Sequence, residues 1–479
     1  MSKYASAAAE LRALYQIARP LSNPGGNREK EPILNRQTHS IAKRLTTGAL
    51  AALLLCQPAF AASKPQVAAD YHAPFSDVAE NHWFYPYVAA LSAQGVVSGN
   101  DDGTFGPNQK TTLGAALVMV LKAAGCGAME PEEGAHYASA YAAYAAQKNW
   151  LKEDQLQDLD GEITRQLVAQ LAAQAMGFTP SSKPSPFADV NDGYVTVLYE
   201  NGVLSGSTDE TGKLVFKPLD SITRAEISAI VWQIQEYANH IHFQGHSVDI
   251  LENVAPFSYD RSKFELNGTR MTYTGDDAET ALGVDVSVHQ GTVNWQAVKE
   301  DGIDFAMIRV GGRGYGSGAL YDDANFETNI QGALQAGLEV GVYFFSQALN
   351  AQEAQEEADY VLSKIQGYDI TYPVVFDWER IGTSSARTDN MTSEALSEAA
   401  LAFCQRIQEN GYQAMVYFYP YIGYLLYQLD DIDDYPFWVA QYTAQPTFYY
   451  DFQIWQYTNR GQVNGINGNV DMDLSLKRW

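Results

Sequence analysis

The run Val374-Val375-Phe376-Asp377-Trp378-Glu379 decides the fold of the C-terminal half of this 479-residue chain. Its apolar start reads as a buried strand of a parallel sheet, where helices cover both faces. Side chains alternate along a strand, so Asp377 and Glu379 share a face, roughly 6–7 Å apart. Two acids on one face at the exit of a buried strand are unfavourable unless they do chemistry or bind a cation. For an isolated pair, a solvated strand end would suffice. The surrounding sequence argues for chemistry.

From Gly283 onward, short apolar strands alternate with helices. Strands are expected at 283–287, 305–310, 338–345, 374–379, 414–419, 437–442 and 452–457. Helices are expected near 295–300, 325–336, 351–366 and 393–410. Such alternation predicts a parallel α/β sheet with right-handed crossovers. A closed, TIM-like barrel follows, with its site at the C-terminal ends of the strands. At those ends stand Asp285, Arg309, Tyr343, Asp377, Glu379, Tyr417, Trp438, Gln441 and Gln456, joined by Asn469-Val470-Asp471-Met472-Asp473. Several acids and aromatics on one rim fit a carbohydrate site, where rings stack on sugars and acids cut the glycosidic bond.

Residues 281–479 resemble glycoside hydrolase family 25, the lysozymes that act as N-acetylmuramidases. The resemblance rests on Gly283-Val284-Asp285-Val286-Ser287 with Gln290-Gly291, the Asp377-Trp378-Glu379 strand, Trp455-Gln456-Tyr457, and Gly465-Ile466 followed by Val470-Asp471. It implies an irregular eight-stranded α/β barrel and cleavage of peptidoglycan with retention at the anomeric carbon. Glu379 is then the general acid, and Asp377 orients the substrate's 2-acetamido group or attacks directly. Asp285 and Asp471 complete the acidic rim. Arg309, Tyr343, Tyr417, Trp438, Gln441 and Gln456 are the candidate substrate contacts. Where many members carry Y-H-F, this chain has Tyr343-Phe344-Phe345, so one rim histidine is absent. Neither cofactor nor metal is expected. A chitinase-like hydrolase would want a longer D-x-x-D-x-D-x-E run, which 370–379 lacks. A non-catalytic glycan-binding scaffold is disfavoured by four intact acids.

The first half is repetitive. Phe75-Ser76-Asp77-Val78 recurs 112 residues later as Phe187-Ala188-Asp189-Val190, and the same offset carries Thr111 onto Thr223. Gly95-Val96-Val97-Ser98-Gly99 answers to Gly202-Val203-Leu204-Ser205-Gly206. Ile163-Thr164-Arg165-Gln166 marks a unit between them. Each unit reads as helix, glycine-containing loop and a second helix opened by a threonine cap. The pattern resembles three surface-layer homology modules, at 70–127, 128–182 (degenerate) and 183–240, with Ile222-Thr223-Arg224-Ala225-Glu226 as the sharpest signature. Such modules form an α-helical trimer of pseudo-threefold symmetry and bind pyruvylated secondary wall polymers. By resemblance that role falls to Arg224 and Arg165, with Asp189, Asp77 and Trp83 completing the set. The first unit has no arginine in Thr111-Thr112-Leu113-Gly114. Residues 241–280 read as a linker with local strand structure near Arg270–Tyr273.

Ahead of the modules, Arg36, Lys43 and Arg44 precede the apolar run 45–56 and the small-x-small site Ala59-Phe60-Ala61. This predicts an N-terminal extension and signal peptide over 1–61 and an exported protein. The run is too short to span a membrane, so no membrane association is expected after cleavage. A net charge of −26 argues against nucleic acid and anionic lipid as partners. Three cysteines, Cys56, Cys126 and Cys404, make no disulfide framework or metal motif. The expected partners are peptidoglycan and a secondary wall polymer, and the expected location is the bacterial cell wall or S-layer.

Overall fold

The computed structural model describes Pro65, residues 71–383 and residues 385–479. The expected signal segment lies outside the described residues.

Between residues 71 and 239 lie α1 (Tyr85–Ala93), α2 (Leu113–Ala123), α3 (Ser139–Gln147), α4 (Arg165–Ala175), α5 (Gly193–Glu200), a short pairing of β1 (Ser207–Thr208) with β2 (Leu214–Val215), and α6 (Arg224–Ala238). The helices α2, α4 and α6 start alike. The hydroxyls of Thr112, Thr164 and Thr223 accept from the backbone N–H groups of Ala115, Leu167 and Glu226. Each thereby satisfies a donor that has no partner inside its helix. The segments entering these helices bond in a ring. Ile163 N–H donates to Thr111 O at 3.1 Å, Ile222 N–H to Ile163 O at 3.0 Å, and Thr111 N–H to Ile222 O at 2.9 Å. Leu117, Val120, Val168, Leu171, Ile227 and Val231 fill the interior below.

The ring corrects the sequence register. It places Thr111 opposite Ile163 and Ile222, so Thr112 corresponds to Thr223. The offset of 112 holds at Asp77 and Asp189 and has shortened to 111 at Phe105 and Phe216. The position that carries arginine in the other two units is therefore Leu113, which is buried.

Residues 240–273 form two hairpins, β3 (His240–Phe243) with β4 (His246–Asp249), and β5 (Phe264–Asn267) with β6 (Arg270–Tyr273). Their segment lies on the barrel wall. Phe257 stacks on Phe452 with centroids 4.4 Å apart, and Phe264 meets Trp455 edge-on at 5.4 Å. The Arg261 guanidinium donates to the carbonyls of Pro446 and Phe448 at 3.0 and 2.8 Å. The last barrel strands have short connections, and this segment supplies apolar cover where other strands have helices.

The barrel follows as β7 (Ala281–Val286), α7 (Trp295–Glu300), β8 (Phe305–Arg313), β9 (Leu320–Asp322), α8 (Phe326–Gln335), β10 (Glu339–Ser346), α9 (Ala351–Ile365), β11 (Val374–Trp378), α10 (Ser393–Glu409), β12 (Ala414–Phe418), α11 (Pro420–Leu425), β13 (Phe437–Ala440), β14 (Ile454–Gly461) and β15 (Val470–Ser475). Strands β7, β8, β10, β11, β12, β13 and β14 pair in that order, all parallel. The eighth, β15, runs antiparallel to both β14 and β7 and closes the barrel. Strand β9 pairs antiparallel with the end of β8. Seven of the eight strands follow the sequence pattern. The eighth hides in a segment that reads as rim, because its neighbours β14 and β7 come from opposite ends of the domain.

Candidate active site

Strand β11 is buried throughout and delivers Asp377 as its penultimate residue, with Glu379 just beyond its end. Asp377 pairs in register with Tyr417 of β12 on one side and Phe345 of β10 on the other. Across the closure, Asp471 of β15 sits directly opposite Asp285 of β7. Paired residues project to the same face, so barrel closure brings the two acids together. Asp473, two residues on from Asp471, projects inward by the same alternation.

Gln456 ties the cluster together. Its Nε2 donates to Asp285 Oδ2 at 2.7 Å, and its Oε1 accepts from the hydroxyls of Tyr417 at 3.2 Å and Tyr442 at 2.8 Å. This orients the amide, because only the oxygen can accept from two hydroxyls while the nitrogen donates to a carboxylate.

Confinement disfavours ionisation throughout the cluster. Burial, reinforced by Asp471, pushes the Glu379 carboxyl up to about 7. Burial lifts Asp471 to about 6. Asp377 is raised well above the carboxylate range by burial and by Glu379, against the pull of Arg309. Asp285 is raised by burial, Asp471 and Asp473, partly offset by the Gln456 amide. Asp377 Oδ1 and Asp473 Oδ2 are buried without a hydrogen-bond partner. Among the described residues, no group of His, Cys, Asp and Glu is arranged to hold a metal ion.

Some expected contacts take other places. Trp438 is 2% exposed, and its indole N–H donates to Asp473 Oδ1 at 2.9 Å. Tyr417 and Tyr343 flank it at ring distances of 4.8 and 6.1 Å, so no face is open to a sugar. Trp438 supports the floor of the site. The Gln441 amide donates to Thr447 Oγ1 at 2.6 Å and accepts from Thr447 N at 2.7 Å, closing its own loop. Arg309 is paired with buried Asp323 at 2.7 Å and partly opposes the rise of the Asp377 carboxyl. Tyr343 is partly buried at the rim. Asp473 enters the sequence reading in the run 469–473 without a role of its own, and Asp323 and Tyr442 escaped sequence reasoning. The same-face rule used for Asp377 and Glu379 would have placed Asp473 on the face of Asp471.

In the modules, Asp77 accepts from the N–H groups of Phe105 and Gly106 at 2.7 and 2.8 Å. Asp189 does the same for Phe216 and Lys217 at 2.8 and 2.7 Å. Both carboxylates therefore shape loops. Arg224 donates to the carbonyls of Phe105 and Ser98 at 2.9 and 2.8 Å and lies over the Phe105 ring. Arg165 donates to Phe216 O at 2.8 Å and pairs with Glu226 at 2.7 Å. Each arginine thus reaches from its own helix start to another unit's loop. Trp83 is 58% exposed.

This geometry agrees with the family comparison. Residues 284–466 match the model of the glycosyl hydrolases family 25. They are a family 25 domain. Residues 74–117 and 186–227 match the S-layer homology domain, so two such domains are found where three are expected. The autolytic lysozyme of Clostridium acetobutylicum is 28% identical over 193 residues, 40% of this chain and 54% of its own length. Lysozyme M1 of Streptomyces globisporus is 29% identical over 206 residues, 41% of this chain and 67% of its own. The chain thus spans about half the length of the first of these relatives. A family 25 glycosyl hydrolase structure from Bacillus anthracis aligns with 44% of this chain and 94% of that one at 21% identity and a TM-score of 0.37.

Proposed function

We propose that this protein is a wall-attached peptidoglycan hydrolase that cuts the β-1,4 bond between N-acetylmuramic acid and N-acetylglucosamine with retention. One observation carries the reading: inside a family 25 barrel, Asp377 and Glu379 leave one strand end together, with Glu379 held near 7. A carboxyl with that pKa is protonated in a substantial fraction at neutral pH and re-ionises readily, as a general acid must. Glu379 protonates the leaving oxygen. Asp377, beside it, acts in its ionised form, which Arg309 favours, and stabilises positive charge as the bond breaks, either by orienting the 2-acetamido group or by direct attack. Asp285 and Asp471 hold the substrate side of the pocket, and Asp471 helps keep Glu379 protonated. The reaction needs no cofactor.

The modules would bind a secondary wall polymer, of pyruvylated type by resemblance, and hold the enzyme at the wall after secretion. A third, degenerate module at 128–182 is supported by the ring of backbone bonds, in which its helix takes an equal part. Digestion of purified peptidoglycan, borohydride reduction and mass spectrometry test the activity. Muramitol ends are expected. Glucosaminitol ends, or no cleavage, would overturn the reading.

A further inference from the structure

The ladder between β10 and β11 ends at Ser346 opposite Trp378. The next residues across are Gln347 and Glu379. No ladder bond joins them. Instead the Gln347 side-chain Nε2 donates to the backbone carbonyl of Glu379 at 3.1 Å. Gln347 is fully buried. Its Oε1 accepts from the hydroxyl of Thr388, also fully buried, at 2.7 Å. The amide cannot be reversed, because that would set two oxygens against each other at Glu379.

Gln347 is itself held from behind. Ser346 Oγ and Arg313 Nε donate to the two oxygens of Glu357 on α9 at 2.6 and 2.7 Å. The backbone N–H of Gln347 donates to Glu357 at 3.4 Å. Ahead of it, Thr388 belongs to the loop that follows Glu379. That loop is closed by Asp389, which accepts from the N–H groups of Ile381 and Gly382 at 2.9 and 2.6 Å. Gln347 therefore joins a buried ionic anchor on α9 to both ends of the segment carrying Glu379.

We propose that Gln347 is the positioning residue for Glu379, fixing the backbone from which the acid reaches the leaving oxygen. This rests on the reading of Glu379 as general acid. Glu379 lies past the last ladder pair, and the Gln347 amide holds its carbonyl from the β10 side. A displacement of about 1 Å at a reacting group can lower a rate about 100-fold.

The test uses the full chain on purified peptidoglycan, with folding of each variant checked by circular dichroism and thermal melting. Gln347→Leu keeps the volume and loses both bonds. It should lower kcat roughly 10- to 100-fold with KM within about twofold. Its alkaline limb should also move from the parent's position. Thr388→Val should lower kcat in the same direction, and Thr388→Ser, which keeps the hydroxyl, should restore it. In the Glu379→Gln background, Gln347→Leu should add no further loss. If Gln347→Leu folds and keeps the parental kcat and pH profile while Glu379→Gln is inactive, the positioning role is wrong. It is equally wrong if the two losses multiply, or if Thr388→Ser is as slow as Thr388→Val. If Glu379→Gln is itself active, the general-acid reading fails instead. Should Gln347→Leu not fold, the Thr388 pair decides the question.

Discussion

If the segment before β7 is part of the barrel wall, removing one ring from it should destabilise the barrel. Phe257→Ala is the sharpest such change. Phe257 is buried, stacked at 4.4 Å on Phe452 and 6.2 Å from Phe264, with the Arg261 guanidinium 4.9 Å from its ring. Truncating a buried phenylalanine costs about 3–5 kcal/mol through lost transfer energy and the cavity left behind. The lower end applies here, because a surface segment between two hairpins can settle into part of the space. For a domain of this size, about 3 kcal/mol lowers the melting temperature by roughly 6–12 °C. Leu266→Ala, on the β5–β6 hairpin that follows, is the control. Leu266 is 51% exposed, so its loss should stay within about 0.5 kcal/mol. Scanning calorimetry of the full chain reads the barrel transition. Tryptophan fluorescence identifies it, because Trp455 lies under the hairpin. If Phe257→Ala melts within about 1 °C of the parent, as Leu266→Ala should, the segment is a tether and the reasoning fails.

Glu379→Gln keeps the shape of the acid without its proton and should lower turnover roughly 100-fold or more; near-parental release of reducing ends would refute its role. The parent rate should fall as pH rises through about 7, because only the protonated acid works. Asp471 helps hold that proton, so Asp471→Asn should lower the Glu379 pKa and move the alkaline limb to lower pH; a limb that stays or rises contradicts this electrostatic account. Replacing Arg224 and Arg165 together with lysine removes the planar fork and the bonds each makes to another unit's loop. Sedimentation of the full chain with walls retaining their secondary polymer should weaken, more than for either single change. Cleavage of soluble glycan should be unchanged. Parental sedimentation would move attachment to another surface.

Much of this protein was legible along the chain. Strand and helix periodicities depend on a few neighbouring residues, so β11, its two same-face acids and the strand–helix alternation appear without a fold. The repeat is visible for the same reason, as are the threonine caps, which bond within three residues. What closes over distance was not legible. Gln456 bonds Asp285 across 171 residues, and Arg224 reaches Ser98 across 126. Trp438 has the composition of a sugar platform, and only barrel packing places it under Tyr417 with its N–H on Asp473. Repeat units differing by one residue could be aligned at Thr111 or Thr112 until the backbone ring chose. The sequence by itself determined the elements and the chemistry available at their ends. Tertiary structure alone decided which groups meet, because burial and pairing are properties of the closed barrel and the closed ring.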